Sequence, residues 1–144
     1  MTTTDDAADR ATTPRRPDAR VTVIVPVYNE RNTLRDLLDR VRAQRILWHG
    51  TSIPIDVVVV DDCSNDGGVD FLDGPEGHAL YPEVSLVRHA RNRGKGAAIR
   101  TGLGHVSGTI VIVQDADLEY DPCDYAALVA PILANTARSE EHTF

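Results

Sequence analysis

The chain lacks any apolar run approaching the roughly 20 residues that span a bilayer. Its opening, Met1 to Arg20, carries four Asp and four Arg but no apolar stretch of the kind a secretory leader needs. The chain is therefore expected to be soluble and cytoplasmic, at most peripheral to a membrane. Cysteine is scarce. Cys63 and Cys123 are too few for a disulfide scaffold or a metal finger, and they read as reduced thiols of a cytoplasm. The histidines (His49, His78, His89, His105 and His142) show no pair at metal-ligand spacing, and only His89 stands at a strand end where it can face a site. A basic excess is missing too: 15 Lys and Arg stand against 22 Asp and Glu, a formal charge of −7. That balance argues against a protein that coats duplex nucleic acid, which needs a cationic face to neutralise phosphates.

What is present is globular. The 144 residues are 42% apolar and 26% charged, enough for one domain with a buried core. Residues 1–20 hold almost nothing that can be buried and read as a disordered tail. Residues 21–135 then alternate short β-branched runs with helical patterns. Val21–Val27 reads as a strand buried on both faces, with Pro26 near its end. Leu34, Leu37, Leu38 and Val41 form one stripe of an amphipathic helix, with Trp48 packed over its end. Ile53–Val60 is the expected second strand and Val84–Val87 the third. Between them, residues 69–83 contain Gly74, Pro75, Gly77 and Pro82 and read as an irregular surface connection.

A helix over 95–106 is expected to bury Ile99, Leu103 and Val106, with Ala98 and Gly102 small enough to let it sit close on a sheet. Thr109–Val113 is the fourth strand. Asp121-Pro122 supplies an N-cap and a proline for a last helix reaching about Ala134. Residues 136–144 read as a frayed end, and no internal repeat is evident. The alternation predicts an α/β fold with a mostly parallel sheet and flanking helices.

In such sheets ligands bind beyond the carboxyl ends of the strands. Each of the four ends here is chemically capable: Tyr28-Asn29-Glu30, Asp61-Asp62, the run Arg88–Lys95, and Asp115-Ala116-Asp117. Carboxylates from several strands beside one cationic loop suit a phosphorylated ligand held through a divalent cation. Asp115 and Asp117 in an extended turn can share such a cation or a ribose, and Glu119 adds a third carboxylate. Mg2+ and Mn2+ prefer these oxygens and leave positions open for phosphate. The structural alternative is a solvated acidic loop that caps the next helix.

The loop Asp61–Gly68 also loosely fits a calcium-binding EF-hand, with Asp73 in the twelfth position. That motif needs a preceding helix, and Val57–Val60 reads as strand. A base- and ribose-binding loop is the better reading, set against a plain acidic turn. Arg91-Asn-Arg-Gly-Lys-Gly-Ala97 offers glycines and cations to a phosphate at a helix start. It is not a Walker A loop, since Gly follows Gly94-Lys95 where Ser or Thr is required, and its other reading is an exposed basic helix start. Haloacid-dehalogenase-type phosphatases also carry Asp-x-Asp after an apolar strand, but on the first strand rather than the fourth.

Taken in order, Ile24-Val-Pro-Val-Tyr-Asn-Glu30, Val59-Val-Asp-Asp-Cys-Ser-Asn-Asp-Gly67, Arg91-Asn-Arg-Gly-Lys-Gly-Ala-Ala98 and Gln114-Asp-Ala-Asp-Leu-Glu-Tyr-Asp-Pro122 resemble the family 2 glycosyltransferases. The nearest branch is that of the polyprenyl- or dolichol-phosphate mannosyltransferases. The resemblance covers roughly residues 21–134. It implies a GT-A, Rossmann-like half-domain that binds a nucleotide-diphosphate sugar such as GDP-mannose or a UDP-sugar. By the same resemblance Pro26, Tyr28 and Glu30 line the nucleotide pocket, and Asp61 or Asp62 bonds the base. Arg93 and Lys95 lie near the donor phosphates. Asp115 serves the ribose or metal side, and Asp117 and Glu119 hold the Mg2+ or Mn2+ that bridges the diphosphate. Glu119 stands where related enzymes often have Gln, which adds a negative charge. Asp115 and Asp117 are the implied catalytic residues. The implied reaction is a metal-assisted inverting displacement onto an acceptor, a polyprenyl phosphate at the membrane surface.

Family members continue with strands that build the acceptor side, and Ser139–Phe144 does not look like that continuation. The chain is accordingly expected to be a truncated or frame-shifted donor-binding half that turns over poorly alone. Two rivals follow. One is a non-catalytic remnant that self-associates through an unfinished sheet. The other is a sugar-1-phosphate nucleotidyltransferase, which would carry a Gly-rich basic loop where Tyr28-Asn-Glu30 stands.

Overall fold

The computed structural model describes residues 19–134 and the backbone of 141–143. Residues 1–18, most of the expected tail, lie outside the described residues, as do 135–140 and 144. Packing begins earlier than expected, because Ala19 is buried in the core and Arg20 pairs with Asp56 at 3.1 Å.

The centre of the fold is β1 (Val21–Val27), whose Val and Ile side chains are buried on both faces. Parallel partners flank it. β4 (Ile55–Asp61) pairs along its whole length, and β6 (Ile110–Val113) pairs with Val21 to Ile24 only. β5 (Val84–Arg88) lies outside β4, and β7 (Glu141–Thr143) lies outside β6. The sheet order is β5-β4-β1-β6-β7, parallel throughout. Ile24 accepts from the Gln114 N–H on the β6 side, so Pro26 turns its donorless nitrogen to that side, past the last paired residue. The proline therefore costs no ladder bond there. β7 corrects the frayed end expected over 136–144. Its three residues pair in parallel with β6 and make β7 the edge strand on that side.

Helices cover both faces. α1 (Leu34–Arg42) buries the expected stripe of Leu34, Leu37, Leu38 and Val41 on one face. α4 (Tyr125–Leu133) joins it there through Tyr125, Val129, Ile132 and Leu133. It follows a 3-10 turn, Pro122–Asp124, which Asp121 caps by accepting the Cys123 N–H. On the opposite face lies α3 (Lys95–Leu103). The expected stripe is corrected here: Ala97, Ala98 and Gly102 are buried, while Leu103 is 41% exposed. Proximity is the reason. A Cβ on Gly102 would lie 2.6 Å from Ile24 Cγ2, so the smallest residues face the sheet.

Two further departures lie in the connections. The expected strand Ile53–Val60 is split at Pro54. Ile53 belongs to β3 (Thr51–Ile53), which forms an antiparallel hairpin with β2 (Ile46–Trp48). His49 and Gly50, both with positive φ (51° and 78°), make the two-residue turn that such hairpins favour. Residues 69–83 are ordered rather than irregular: a 3-10 turn Asp70–Leu72 leads to α2 (Gly74–Leu80). Two glycines and a proline hide so short a helix from any propensity argument.

Candidate functional site

From β1 the chain steps outward through β4 to β5, then returns to the other side of β1 for β6. The connections therefore diverge between the carboxyl ends of β1 and β6, where an open parallel sheet leaves a crevice. A cleft of about 230 Å3 opens at that point. Pro26 and Val27 wall it from the end of β1, Tyr28 and Glu30 from the loop that follows, and Asp62 from just past β4. Lys95 and Ala98 come from the start of α3, and Asp115, Ala116 and Asp117 from the turn after β6.

Pro26, Tyr28, Glu30, Asp62, Lys95, Asp115 and Asp117 thus meet as expected. Asp61, Arg93 and Glu119 do not line the cleft. Asp61 is buried at the end of β4, and its Oδ1 accepts the Ser64 N–H at 3.2 Å, closing the turn. Arg93 contributes its backbone N–H rather than its guanidinium. Glu119 is exposed, and its N–H donates to Asp117 Oδ1 at 3.1 Å. The expected gathering of Asp115, Asp117 and Glu119 is therefore corrected. Among the described residues no three His, Cys, Asp or Glu side chains converge as a metal-holding group.

The EF-hand alternative fails as well. β4 precedes the loop, and its carboxylates point to separate partners: Asp62 to Arg93 and Gly94, Asp66 to Gly68, and Asp73 to Arg88.

Within the cleft, Lys95 Nζ lies 2.5 Å from Asp115 Oδ1, a cation joined to a carboxylate across the opening. Asp62 is 4% exposed and richly bonded. Burial pushes its carboxyl up, but the N–H of Arg93, His89 and the N–H of Gly94 together outweigh this and hold it below the ordinary range. Three loops rim the cleft, and each holds a non-glycine residue at positive φ: Asn29 (53°), Cys63 (67°) and Leu118 (64°). Such backbone persists only where surroundings over-determine it. Here the Asn29 N–H donates to Ser64 Oγ at 2.8 Å, and Asn29 Oδ1 accepts from the Asn65 N–H at 2.9 Å, tying the first loop to the second.

Sequence reasoning missed the residues that shape the third loop. Gln114 is fully buried directly after β6. Its Nε2 donates to the carbonyls of Asp115 and Tyr120, spanning the turn that carries Asp115 and Asp117, and its Oε1 accepts from Tyr125 Oη at 2.7 Å. Thr33, at the start of α1, pins the same turn by donating to the Ala116 carbonyl at 2.5 Å. The available signal was a lone amide ending an otherwise apolar run.

Known proteins resemble this chain in sequence and in fold. Residues 22–139 match the model of the family described as Glycosyl transferase family 2. An undecaprenyl-phosphate 4-deoxy-4-formamido-L-arabinose transferase of Salmonella paratyphi A is 33% identical over 114 residues, 79% of this chain and 34% of that protein. Its counterpart from Pseudomonas savastanoi pv. phaseolicola is 37% identical over 111 residues, 76% and 32% of the two chains. The chain thus spans about a third of the length of these curated relatives. Among solved structures, a mannosyltransferase of Pyrobaculum calidifontis in complex with GDP-Man and Mn2+ superposes with a TM-score of 0.65 at 33% identity. The match covers 90% of this chain and 38% of that one.

Proposed function

The chain belongs to glycosyl transferase family 2, and from that premise we propose that it forms the donor side of an enzyme that moves a sugar from a nucleotide-diphosphate sugar to a polyprenyl phosphate. The observation that carries this reading is the cleft at the β1–β6 divergence, where Asp115 and Asp117 face Lys95 and Tyr28. The relatives named for undecaprenyl-phosphate transfer support the acceptor class, and the neighbour holding GDP-Man and Mn2+ supports the donor class.

Each residue has a chemical task in this reading. Tyr28, half exposed at the mouth, offers a ring to the base, beside Pro26 and Glu30. Lys95 opens α3, where a phosphate would meet a cation and a helix N-terminus together. Arg93 and Asp61 act through the main chain and the turn rather than by touching the donor. Asp115 and Asp117 are the catalytic carboxylates, and they fit a divalent cation. One oxygen of Asp115 is held by Lys95 and one of Asp117 by the Glu119 N–H, so each keeps a second oxygen for a ligand. One or two carboxylates completed by substrate phosphates is the set that Mg2+ takes, and Mn2+ shares its preference for oxygen.

When bound, the cation offsets the negative charge that grows on the departing nucleoside diphosphate. In the transfer, a phosphate oxygen of the acceptor bonds to the anomeric carbon while the carbon–oxygen bond to the diphosphate breaks, inverting that centre. The acceptor is already an anion, so positioning matters more than proton abstraction. Among the described residues no helix is long and apolar enough to cross a membrane, and the lipid acceptor would be met at the membrane surface.

Isothermal titration of the 144-residue chain with GDP and with UDP, each with and without Mn2+, tests the donor side. Heat with one nucleotide, dependent on Mn2+, is expected. Absence of heat with both nucleotides in the presence of Mn2+ overturns the reading.

A further inference from the structure

Three groups from residues 89–94, remote in sequence from Asp62, meet at its buried carboxylate. Asp62 Oδ1 accepts the Arg93 N–H and the His89 Nδ1–H, both at 2.8 Å, and Oδ2 accepts the Gly94 N–H at 2.8 Å. His89 is 8% exposed, and its second nitrogen lies 2.8 Å from Thr101 Oγ1 on α3. The ionised Asp62 can only accept, so Nδ1 carries the proton. In the neutral ring Nε2 then accepts the Thr101 hydroxyl proton. The His89 backbone is held as well, since its N–H donates to the Asp61 carbonyl and extends the β4–β5 ladder. The ring is thus fixed at the main chain and at both nitrogens.

The segment it reaches has little else to hold it. Gly94 is the N-cap of α3 at φ 93°, and no side chain caps that helix. The Arg93 and Gly94 N–H groups are spent on Asp62, one residue before Lys95, whose amine faces Asp115. We propose that His89 is a positioning residue of the donor cleft: by bracing Asp62 against Thr101, it sets the Arg93–Gly94 main chain and hence the place of Lys95. The proposal rests on the donor-cleft reading for its binding consequence, but its structural half stands on the geometry alone. Any buried histidine must have its nitrogens engaged; what points to positioning is the identity of the partners, the carboxylate that holds Arg93 and Gly94 and the helix that begins with Lys95.

The test uses three variants of the whole chain: His89→Leu removes both bonds, His89→Asn keeps a donor at the Nδ1 position, and Thr101→Val removes the far brace without changing shape. Amide exchange at Arg93 and Gly94, followed by NMR, is one readout. Affinity for GDP or UDP with Mn2+, whichever the wild type binds, is the other. In His89→Leu both amides should exchange faster and affinity should fall about tenfold, the equivalent of one charge-assisted hydrogen bond. His89→Asn should recover most of both effects. Thr101→Val should show a weaker version, and it carries the test if His89→Leu does not fold. Unchanged Arg93 and Gly94 exchange in Thr101→Val and His89→Leu overturns the proposal, as does a His89→Asn variant no better than His89→Leu. If the wild type binds neither nucleotide, the donor reading fails, and amide exchange still decides whether His89 positions the loop.

Discussion

Gly102→Ala probes the contact that sets α3, and with it Lys95, against the sheet. The new Cβ would lie 2.6 Å from Ile24 Cγ2 and 3.2 Å from Cγ1 and Cδ1, about 0.8 Å inside the 3.4 Å at which ordinary contact begins. Ile24 cannot yield, because it is fully buried in the central strand and paired on both sides. The helix must therefore move. Overpacking of this kind costs about 1–3 kcal/mol, and the better helix propensity of alanine returns roughly 1 kcal/mol. The net expectation is destabilisation of about 1 kcal/mol, or on the order of 4 °C in Tm for a domain of this size. Urea and thermal unfolding followed by circular dichroism measure it. In an Ile24→Ala background the obstruction is gone, and the same change should be stabilising, so a double-mutant cycle reverses its sign. If Gly102→Ala raises Tm in the native background, the close approach of α3 to β1 is not what selects glycine there.

The remaining expectations concern the cleft. Asp117→Asn should abolish the Mn2+ dependence of nucleotide binding while leaving Tm within about 1 °C, as befits an exposed side chain; retained dependence removes Asp117 from its role. Tyr125→Phe deprives the buried Gln114 Oε1 of its donor and should cost about 1–3 kcal/mol in urea unfolding. No loss would mean that Gln114 does not brace the turn after β6. The Asp62 carboxyl is held below its ordinary 3.8, so its contribution to stability is complete above that value. It drains away as pH falls through the lower folded value. Unfolding in urea between pH 5 and about pH 2 should therefore show a steeper acid loss in the native chain than in Asp62→Asn, and equal slopes would refute the assignment.

The legible parts of this protein are those governed by near neighbours in sequence. Val/Ile runs mark β1, β4 and β6 because a strand buried on two faces needs apolar residues throughout. The spacing of Leu34, Leu37, Leu38 and Val41 marks α1 because one face of a helix returns every three or four residues. Most of the cleft followed from the same logic, since parallel strands bring their carboxyl ends to one edge. The hairpin at His49–Gly50 escaped because its strands are only three residues each, and the helix at Gly74–Leu80 because two glycines and a proline mask it.

What local order could not decide was which polar groups serve the ligand and which serve the loops. Asp61 and Asp62 are adjacent and identical, yet one closes its own turn and the other clamps a segment some thirty residues away. The roles of Gln114 and His89 were not legible, because their partners, Tyr125 and Thr101, come near only after the helices dock. The buried face of α3 was likewise settled by distance: the helix lies so close to Ile24 that glycine and alanine, not leucine, turn inward. Pattern therefore determined the elements and the edge where they converge. Three-dimensional packing decided the roles of the polar residues there, because a buried donor or acceptor must find its partner wherever the fold brings one.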